Sequence, residues 1–351
     1  MARRTDKTLQ RVDRRPTMAD VAKSAGVSQA TVSLVMNGVG DVRISASTRL
    51  RVLAAADELG YRIGRRVVSG SSLRSIIMLL DEVSTNPLAA ADILGAREVA
   101  WQNECILTVI TTRGDPAIEE AALDLLLAQP TAGVIYAATA TRQVNPPERL
   151  RAIPTVLLNC RTADGRMPAV LPGHADGART ATEALLEAGH RRIAFINGEA
   201  YMLAARERLR GYREALAAWK VPFDATLVRP GNWLLSDAFD QTRSLMALDG
   251  PPTAIFCASD RMALGAYEAL RELGMRIPED VSVVGYDDDS FARYLPPPLT
   301  TVLVPHEEMG RWAVEHLLSL TEASAPGKKH RPVMLECPLV GRNSIGTIRG
   351  L

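Results

Sequence analysis

The chain of 351 residues is 47% hydrophobic and 23% charged, which predicts two or three domains of a globular protein. Its net charge of +1 conceals an asymmetry, because residues 1–72 hold 13 Lys or Arg against 6 Asp or Glu. Only this basic part is expected to meet a polyanion. Residues 1–15 are basic without a following apolar segment, which predicts a disordered arm rather than a signal peptide. No apolar run is long enough for a membrane span.

The four cysteines lie far apart, form no CxxC pair and stand beside apolar residues; they are Cys105, Cys160, Cys257 and Cys337. This pattern predicts buried free thiols in a reducing cytoplasm. The five histidines are scattered, and neither a phosphate-binding glycine loop nor a nucleophile motif is found. We therefore expect a cytoplasmic protein with no metal, no cofactor and no catalytic residue.

Two short helical patterns follow the arm. Thr17 with Asp20 resembles a capping box, and Gly26 is placed to end the helix that they begin. Ser28 is a good N-cap for a second helix over residues 29–37. The faces predicted to be buried consist of Met18, Val21, Ala22 and Ala25 in the first helix and Val32, Val35 and Met36 in the second.

A third helix is predicted from Ser45, as its N-cap, to Gly60, which ends it. Its buried face is predicted to consist of Leu50, Leu53, Ala54 and Leu59. Three helices in about 45 residues, with a tight turn after the first, indicate a helix-turn-helix unit. Such a unit inserts its second helix into the major groove of DNA. A small helical cap or protein-binding module is the alternative that spacing alone leaves open.

The segments "DVAKSAGVSQATVSLVMN" and "ISASTRLRVLAAADELGYR" resemble the DNA-binding headpiece of the LacI/GalR family of bacterial transcription regulators. The pattern "DVA..AGVS..TVS.V.N" is dense and rarely arises by chance. The resemblance implies a headpiece over residues 16–62 that reads double-stranded operator DNA.

The resemblance assigns DNA contacts position by position. Base reading falls to Gln29, Ala30 and Leu34, and backbone contact or capping to Thr17, Ser28, Thr31, Ser33 and Asn37. Capping alone is the alternative for Ser28, and helix packing for Thr31. Leu34 stands where the family often has a polar residue; leucine can touch a thymine methyl but cannot bind guanine in a bidentate manner. The operator half-site is therefore expected to differ from the best-known family sites.

Residues 63–73 are predicted to form a hinge. In the family this segment becomes a short helix on DNA, and a leucine wedges a base step in the minor groove. Here the usual motif is not matched, and "SGSS" is a poor helix former. The hinge role is assigned to Arg65, Arg66, Val67 and Val68, with one of the valines as the wedge. A flexible linker without a wedge is the alternative.

From residue 74 onward, short apolar runs alternate with helical patterns. Four strands are predicted first, "RSIIMLL", "CILTVIT", "AGVIYAA" and "PTVLLN", and four follow later, "RIAFING", "DATLVR", "TAIFCAS" and "VSVVGYDD". The pattern indicates two α/β units with parallel sheets and ligand sites at the carboxyl ends of the strands. By itself it permits a nucleotide-dependent enzyme or a two-lobed binding protein.

Segments such as "RERLRGYREAL" and "FCASDRMALGAYEALRELGMRIPEDVSVVGYDD" resemble the effector domain of the same family, which is similar to periplasmic sugar-binding proteins. The predicted fold is thus an all-α helix-turn-helix headpiece plus an α/β two-lobed periplasmic-binding-protein-like effector domain over residues 74–344. The first lobe is expected to hold residues 74–160 and 302–325, and the second residues 161–300 and 331–342.

Six residues match effector-contact positions of the family, in the cleft between the lobes: Leu88, Asn159, Arg208, Trp233, Ser259 and Asp287. Arginine offers a planar group with five donors, aspartate accepts hydrogen bonds, and tryptophan covers the apolar face of a sugar or base. Each has a structural alternative. Arg208 can be a surface charge, Asp287 a cap, and Trp233 or Leu88 packing. Asn159 and Ser259 can simply hold loops.

The resemblance implies a sequence-specific transcriptional regulator, a repressor by family default, that binds a near-palindromic operator as a homodimer. Its small-molecule effector is expected to be a sugar, because Arg, Asp and Trp suit vicinal hydroxyls and an apolar face. A purine, a nucleoside or a sugar acid stays open as the effector. A sugar-binding transport protein and an enzyme with an appended headpiece are remote alternatives.

Overall fold

The computed structural model describes residues 18–36, 45–59, 73–82, 89–128, 130–320 and 329–348. The chain divides into two compact units, residues 1–71 (the headpiece) and 72–351 (the body). The predicted arm and residues 63–72 of the predicted hinge lie outside the described residues. No described helix is long and apolar enough to cross a membrane.

Three short helices form the described part of the headpiece: α1 (Met18–Ala25), α2 (Gln29–Met36) and α3 (Ala46–Glu58). Gly26 follows α1 with a φ of +64°, a conformation that glycine adopts without strain. Of the three predicted N-caps, Thr17 lies outside the described residues, and Ser28 and Ser45 are confirmed. The hydroxyl of Ser28 accepts a hydrogen bond from the amide of Thr31 at 3.1 Å, and that of Ser45 from the amide of Thr48 at 3.2 Å.

The buried face of α3 differs from the predicted one. Leu50, Leu53 and Leu59 are 68%, 46% and 37% exposed, and Ala54 is exposed as well. The headpiece core consists instead of small side chains: Val21, Ala22, Ala25, Val32, Val35, Val52, Ala55 and Ala56. The prediction was wrong because it favoured large apolar side chains. Three short helices that approach closely leave room between them only for valine and alanine.

The body alternates strands and helices, as predicted. Its strands are β1 (Arg74–Leu80), β2 (Cys105–Thr111), β3 (Thr131–Gln143), β4 (Thr155–Arg161), β5 (Ala169–Pro172), β6 (Ile193–Asn197), β7 (Val228–Pro230), β8 (Ala254–Cys257), β9 (Ser282–Val284), β10 (Thr301–Val302), β11 (Val333–Leu335) and β12 (Leu339–Val340). Its helices are α4 (Ala89–Gln102), α5 (Pro116–Leu127), α6 (His174–Glu187), α7 (Leu203–Ala218), α8 (Leu235–Met246), α9 (Asp260–Glu272) and α10 (His306–Ser319).

Six parallel strands form the first sheet, in the order β11-β5-β4-β3-β1-β2. Residues 76–80 of β1 are buried throughout, as expected for a central parallel strand that is covered on both faces. The pairing of β3 with β4 is interrupted between Ala137 and Arg142. Residues 138–141 therefore leave the ladder near the carboxyl end of the sheet.

Four parallel strands form the second sheet, in the order β7-β6-β8-β9. The short antiparallel pair β10-β12 lies beside it, because isolated bridges join Val284 to Thr300 and Asp287 to Leu303. Apolar residues fill both faces of the first sheet and surround the second. The four cysteines are free and buried, as predicted.

The first sheet includes two strands that the sequence analysis placed in the second lobe. β5 pairs with β4, and β11 pairs in turn with β5, with Val333 opposite Val170. These segments therefore belong with the first lobe. Strands of three or four residues carry no pattern that identifies their partner, so only the tertiary structure decides which sheet they join. By contrast, α10 packs on α4 and the first sheet.

Helices α4 and α10 approach each other unusually closely. A Cβ at Gly95 would lie 1.9 Å from the carbonyl oxygen of Glu307, and one at Gly310 would lie 2.0 Å from that of Asp92. Only glycine allows two helix backbones to come this near. The approach places the side chains of Asp92 and His306 next to each other.

Candidate functional site

The first candidate site is the N-terminal end of α2. Gln29, the first residue of this helix, is exposed, as a base-reading residue needs to be. Ser28 caps the helix, and its hydroxyl also lies 2.9 Å from that of Thr31. The two hydroxyls are thus used locally, which matches the capping alternative for Ser28. Their contact with a phosphate stays a prediction.

The other predicted DNA contacts lie partly or fully outside the described residues. Ala30, Ser33 and Leu34 belong to α2 by their backbone, while their side chains lie outside the described set. Fully outside the described residues are Thr17, Asn37, Arg65, Arg66, Val67 and Val68. Their roles on DNA stay predictions.

The second candidate site is a cleft in the body, at the carboxyl ends of strands from both sheets. Its volume is about 310 Å³, near the lower end of the range of about 300–1,000 Å³ that is typical of ligand pockets. It is lined by Thr139, Ala140, Thr141, Asn159, Pro172, His174, Met202, Ala204, Arg208, Trp233, Ser259, Arg261, Asp287, Asp289, Val304 and His306. Such a cleft suits a ligand of small size.

Five of the six predicted effector residues meet in this cleft: Asn159, Arg208, Trp233, Ser259 and Asp287. They come from β4, from α7 and from the loops after β7, β8 and β9. Parallel strands place such positions at one edge of a sheet, which explains their convergence. The sixth residue, Leu88, lies outside the described residues.

Arg208 is a central side chain of the cleft and is only 5% exposed. It donates to Oδ1 of Asp287 at 3.2 Å and to the carbonyl oxygen of Ala258, and its guanidinium lies 3.7 Å from the ring centroid of Tyr286. Burial raises the pKa of Asp287, and the charge of Arg208 opposes that rise. The alternative of a solvated surface charge does not describe Arg208.

His174, the first residue of α6, connects Arg208 to the first sheet. Nε of Arg208 donates to Nδ1 of His174 at 3.4 Å, which leaves the proton of the neutral ring on Nε2. Nε2 lies 2.8 Å from the hydroxyl of Thr141, which in turn donates to Oδ1 of Asn159 at 2.5 Å. Burial, reinforced by the charge of Arg208, lowers the pKa of His174 well below its usual value, so the ring is neutral. A directional chain of hydrogen bonds thus joins the two sides of the cleft.

Asn159 uses its remaining hydrogen-bond donors within the protein. Its amide donates to the carbonyl oxygens of Ala138 and Thr139 at 2.9 and 3.3 Å. It therefore holds the segment 138–141 that leaves the ladder of β3. These contacts match the alternative in which Asn159 holds a loop, and direct contact with an effector stays a prediction.

Three of the predicted residues have left-handed backbone conformations. The φ angles are +56° for Asn159, +60° for Trp233 and +112° for Asp287. Asparagine tolerates this region, but a bulky residue such as tryptophan rarely adopts it. Residues held in such conformations cost about 1–3 kcal/mol each and cluster at binding sites. Their concentration in one cleft supports a functional role for it.

Neighbouring residues hold the indole ring of Trp233 in place. A Cβ at Gly198 would lie 2.0 Å from Cε2 of the indole, so the ring needs a glycine at that position. The indole N–H donates to the sulfur of Met202 at 2.9 Å, and the guanidinium of Arg208 lies 5.4 Å from the ring centroid. The ring is partly buried and borders the cleft. Both packing and ligand contact are therefore compatible with its position.

Ser259 is the N-cap of α9, because its hydroxyl accepts a hydrogen bond from the amide of Met262 at 3.2 Å. The adjacent Asp260 is buried and accepts from the hydroxyl of Thr301 at 2.6 Å and from the amide of Asp289 at 2.7 Å. This part of the chain thus fixes the loop that carries Asp287. The contact of Ser259 itself caps α9, and its direct contact with an effector stays a prediction.

The sequence analysis missed six polar residues of the cleft: Thr139, Thr141, His174, Arg261, Asp289 and His306. His174 and His306 are the first residues of α6 and α10, and Arg261 is the second residue of α9. Polar residues are common at such positions for reasons of capping alone. Thr139 and Thr141 follow the segment "AGVIYAA", which the sequence predicts as an ordinary strand. Their sequence signals were therefore too ambiguous to find them.

The described residues contain no group of three or more His, Cys, Asp or Glu arranged to hold a metal ion. The chemistry of the cleft is that of hydrogen bonding and charge. Arginine, histidine and hydroxyl donors stand beside carboxylate acceptors, with one aromatic face. This set of groups can bind a polar small molecule and orient it.

Two family models match the chain. The model described as bacterial regulatory proteins, lacI family, matches residues 17–63, and a periplasmic binding protein-like domain matches residues 182–345. The first match contains α1 to α3, and the second contains most of the strands and loops that build the cleft. The two matched regions therefore fall in the two units of the structure, one in the headpiece and one in the body.

Similar proteins cover nearly the whole chain. The ribose operon repressor of Haemophilus influenzae is 34% identical over 341 residues, which are 95% of this chain and 99% of the relative. A transcriptional regulator CelR–cellobiose complex is 33% identical, with a TM-score of 0.64 and coverage of 94% and 100%. The lac repressor dimer bound to operator and the anti-inducer ONPF is 29% identical, with a TM-score of 0.62 and coverage of 95% and 100%. All three are regulators rather than enzymes.

Proposed function

The chain belongs to the lacI family of bacterial regulatory proteins, and from this premise we propose that it is a transcriptional repressor controlled by a sugar. The sugar binds in the cleft of the body and changes the affinity of the headpiece for operator DNA. Like its relatives, the chain is a DNA-binding regulator and not an enzyme. It acts in the cytoplasm, where the operator is accessible.

The observation that carries this proposal is the convergence of Arg208, Asp287 and Trp233 on one cleft. A sugar offers vicinal hydroxyls, which the guanidinium can donate to and the carboxylate can accept from. It also offers an apolar face, which an indole can cover. Similarity to a ribose operon repressor and to a regulator in complex with cellobiose supports the same class of effector.

On DNA, the proposal places α2 in the major groove. Gln29, Ala30 and Leu34 read base edges, while Thr17, Ser28, Thr31, Ser33 and Asn37 hold the backbone or cap the helix. Arg65, Arg66, Val67 and Val68 act in the hinge. Two copies bind one near-palindromic operator, since the symmetry of a dimer then matches that of the DNA. Similarity to a lac repressor dimer bound to operator supports this arrangement.

The effector is tested by thermal shift of the full-length protein. The panel contains D-ribose, D-xylose, D-glucose, D-galactose, cellobiose, D-glucuronate, guanine and adenosine. A ligand at 100 times its dissociation constant stabilises the protein by about 2.7 kcal/mol. Stabilisation by a neutral sugar alone is the expected result. Stabilisation by guanine, adenosine or D-glucuronate instead would identify the effector as a purine, a nucleoside or a sugar acid rather than a neutral sugar.

Regulation is tested by fluorescence anisotropy on an operator selected from random double-stranded DNA. The stabilising sugar should change operator affinity, and the operator should change sugar affinity by the same factor, as linkage requires. Operator binding that the sugar leaves unchanged would contradict the proposed control. The salt dependence of the affinity is measured in parallel, because phosphate contacts make it steep.

A further inference from the structure

A buried acid–imidazole pair stands at the wall of the cleft, and the function proposed above does not use it. Asp92, on α4, is 2% exposed, and His306, the first residue of α10, is 7% exposed. Nδ1 of His306 lies 3.1 Å from Oδ2 of Asp92. Because a carboxylate can only accept, Nδ1 carries a proton and donates it. The pair therefore fixes the orientation of the ring.

The packing of the first lobe produces this pair at some cost. Helices α4 and α10 come close enough for it only because Gly95 and Gly310 lie at their crossing. The other oxygen of Asp92, Oδ1, is buried and has no hydrogen-bond partner within the described parts of the chain. A buried carboxylate with one unsatisfied oxygen is expensive, and an apolar pair would pack there at lower cost. Stability alone does not explain the pair.

The ring of His306 has one nitrogen, Nε2, that Asp92 does not use. His306 lines the cleft together with Arg208 and Asp287. Its second nitrogen, Nε2, makes no hydrogen bond to any residue that the structure describes. Nε2 is therefore the atom that this histidine offers to a molecule in the cleft.

Three charged groups act on the ring: Asp92 on α4, Asp287 after β9 and Arg208 on α7. The neutral His174 on α6 accepts a hydrogen bond from Arg208. Burial lowers the pKa of His306, but the carboxylates, with Asp92 foremost, outweigh burial and raise the pKa above its usual value. Burial also raises the pKa of Asp92. Asp92 is thus the main group that favours the charged form of the His306 ring.

We propose that His306 contacts the effector, donating from Nε2 to a hydroxyl oxygen of the sugar, and that Asp92 is the residue that positions and charges the ring. This inference rests on the proposed function. It adds a contact from the first lobe to those that Arg208 and Asp287 supply from the other side. A sugar with a hydroxyl at this place would be selected over one without it, because an unmatched donor loses its hydrogen bond to water.

The inference makes the affinity for the sugar depend on pH in a definite direction. The charged ring is present below its pKa and is lost as the pH rises through that value. Affinity should therefore fall with rising pH, by at most about tenfold per pH unit for one proton. His174 adds no such change, since its pKa lies far lower and it stays neutral.

The experiment is calorimetric titration of the full-length protein with the five neutral sugars of the panel, between pH 5.5 and 8.5. His306→Asn and His306→Gln should weaken binding about tenfold at low pH, the loss of one hydrogen bond to a charged donor, and should remove the pH dependence. Asp92→Asn should move the decline to lower pH, because the carboxylate that favours the charged ring is gone. A purely structural role of Asp92 would weaken binding equally at every pH.

His316→Asn is the matched control, because His316 also lies on α10 but stacks on Trp312 and does not line the cleft. It should bind the sugar as the unaltered protein does. Circular dichroism and operator binding verify that each variant is folded. Sugar binding that is the same in the His306 variants overturns this inference while the proposed function stands. A protein that binds none of the sugars overturns both.

Discussion

Replacing Arg208 by Met should destabilise the body and abolish its response to sugar. The substitution leaves Asp287 without its cation and the carbonyl oxygen of Ala258 without its donor. Breaking a buried ion pair costs about 3–5 kcal/mol. The side chains of Arg208 and Asp287 are 6% and 19% exposed, and the residual solvation of Asp287 favours the lower end, about 3 kcal/mol.

The same reasoning predicts that the loss is not additive. Asp287→Asn should also destabilise the body, because it leaves the buried guanidinium without a carboxylate. In the double variant neither charge is unpaired. Its loss should therefore be smaller than the sum of the single losses by about 0.5–3 kcal/mol, as for residues in direct contact. All three variants should lose the stabilisation of about 2.7 kcal/mol that a saturating sugar provides.

The assay is urea unfolding of the full-length protein, followed by circular dichroism. Arg210→Met serves as the control, since Arg210 is on the same helix but is 53% exposed and pairs with Glu207 and Glu214 at the surface. Its loss should stay below about 1 kcal/mol. If the single losses add to within about 0.5 kcal/mol in the double variant, Arg208 and Asp287 are not coupled and the reasoning is refuted.

Three further predictions concern α2 and Trp233. Gln29→Ala should change base preference at one or two half-site positions by about 1–3 kcal/mol in a binding selection, and an even loss on all sequences would make Gln29 a backbone contact. Ser28→Ala should cost about 0.5–2 kcal/mol of local stability, read from amide hydrogen exchange of α2; unchanged protection would remove Ser28 as a cap. Gly198→Ala should displace the indole of Trp233 and weaken sugar binding about tenfold, roughly the worth of an aromatic contact. Gly341→Ala is the control, because a Cβ added there contacts nothing. If both variants bind the sugar with equal affinity, the position of the Trp233 ring does not affect binding.

Short-range sequence patterns were sufficient to predict most helices and strands of the fold. Ser28 and Ser45 act as caps, Gly26 ends α1, and most of the predicted strands and helices of the body are present with small shifts of their ends. These features depend on residues three or four positions apart. The sequence therefore contains them without reference to any distant part of the chain.

The buried face of α3 and the placement of β5 and β11 were not predictable in this way. The first depends on how closely three short helices approach, which favoured Val52 over Leu53. The second depends on pairing between strands that are far apart in sequence and too short to show a preference. In both cases the space and the partners arise only in the folded chain.

The cleft shows the same division. The resemblance to a family identified Asn159, Arg208, Trp233, Ser259 and Asp287, and the structure brings all five to one cleft. The resemblance could not show that hydrogen bonds connect Arg208 through His174 to Thr141 on the first sheet. Nor could it show that Asp92 contacts His306, which is 214 positions away in the sequence. The sequence by itself determined the class of fold, its helices and strands, and the residue types available for a site. Only the tertiary structure decided which of these side chains share protons and charge, because hydrogen bonds depend on distances that parallel strands and crossing helices set between remote residues.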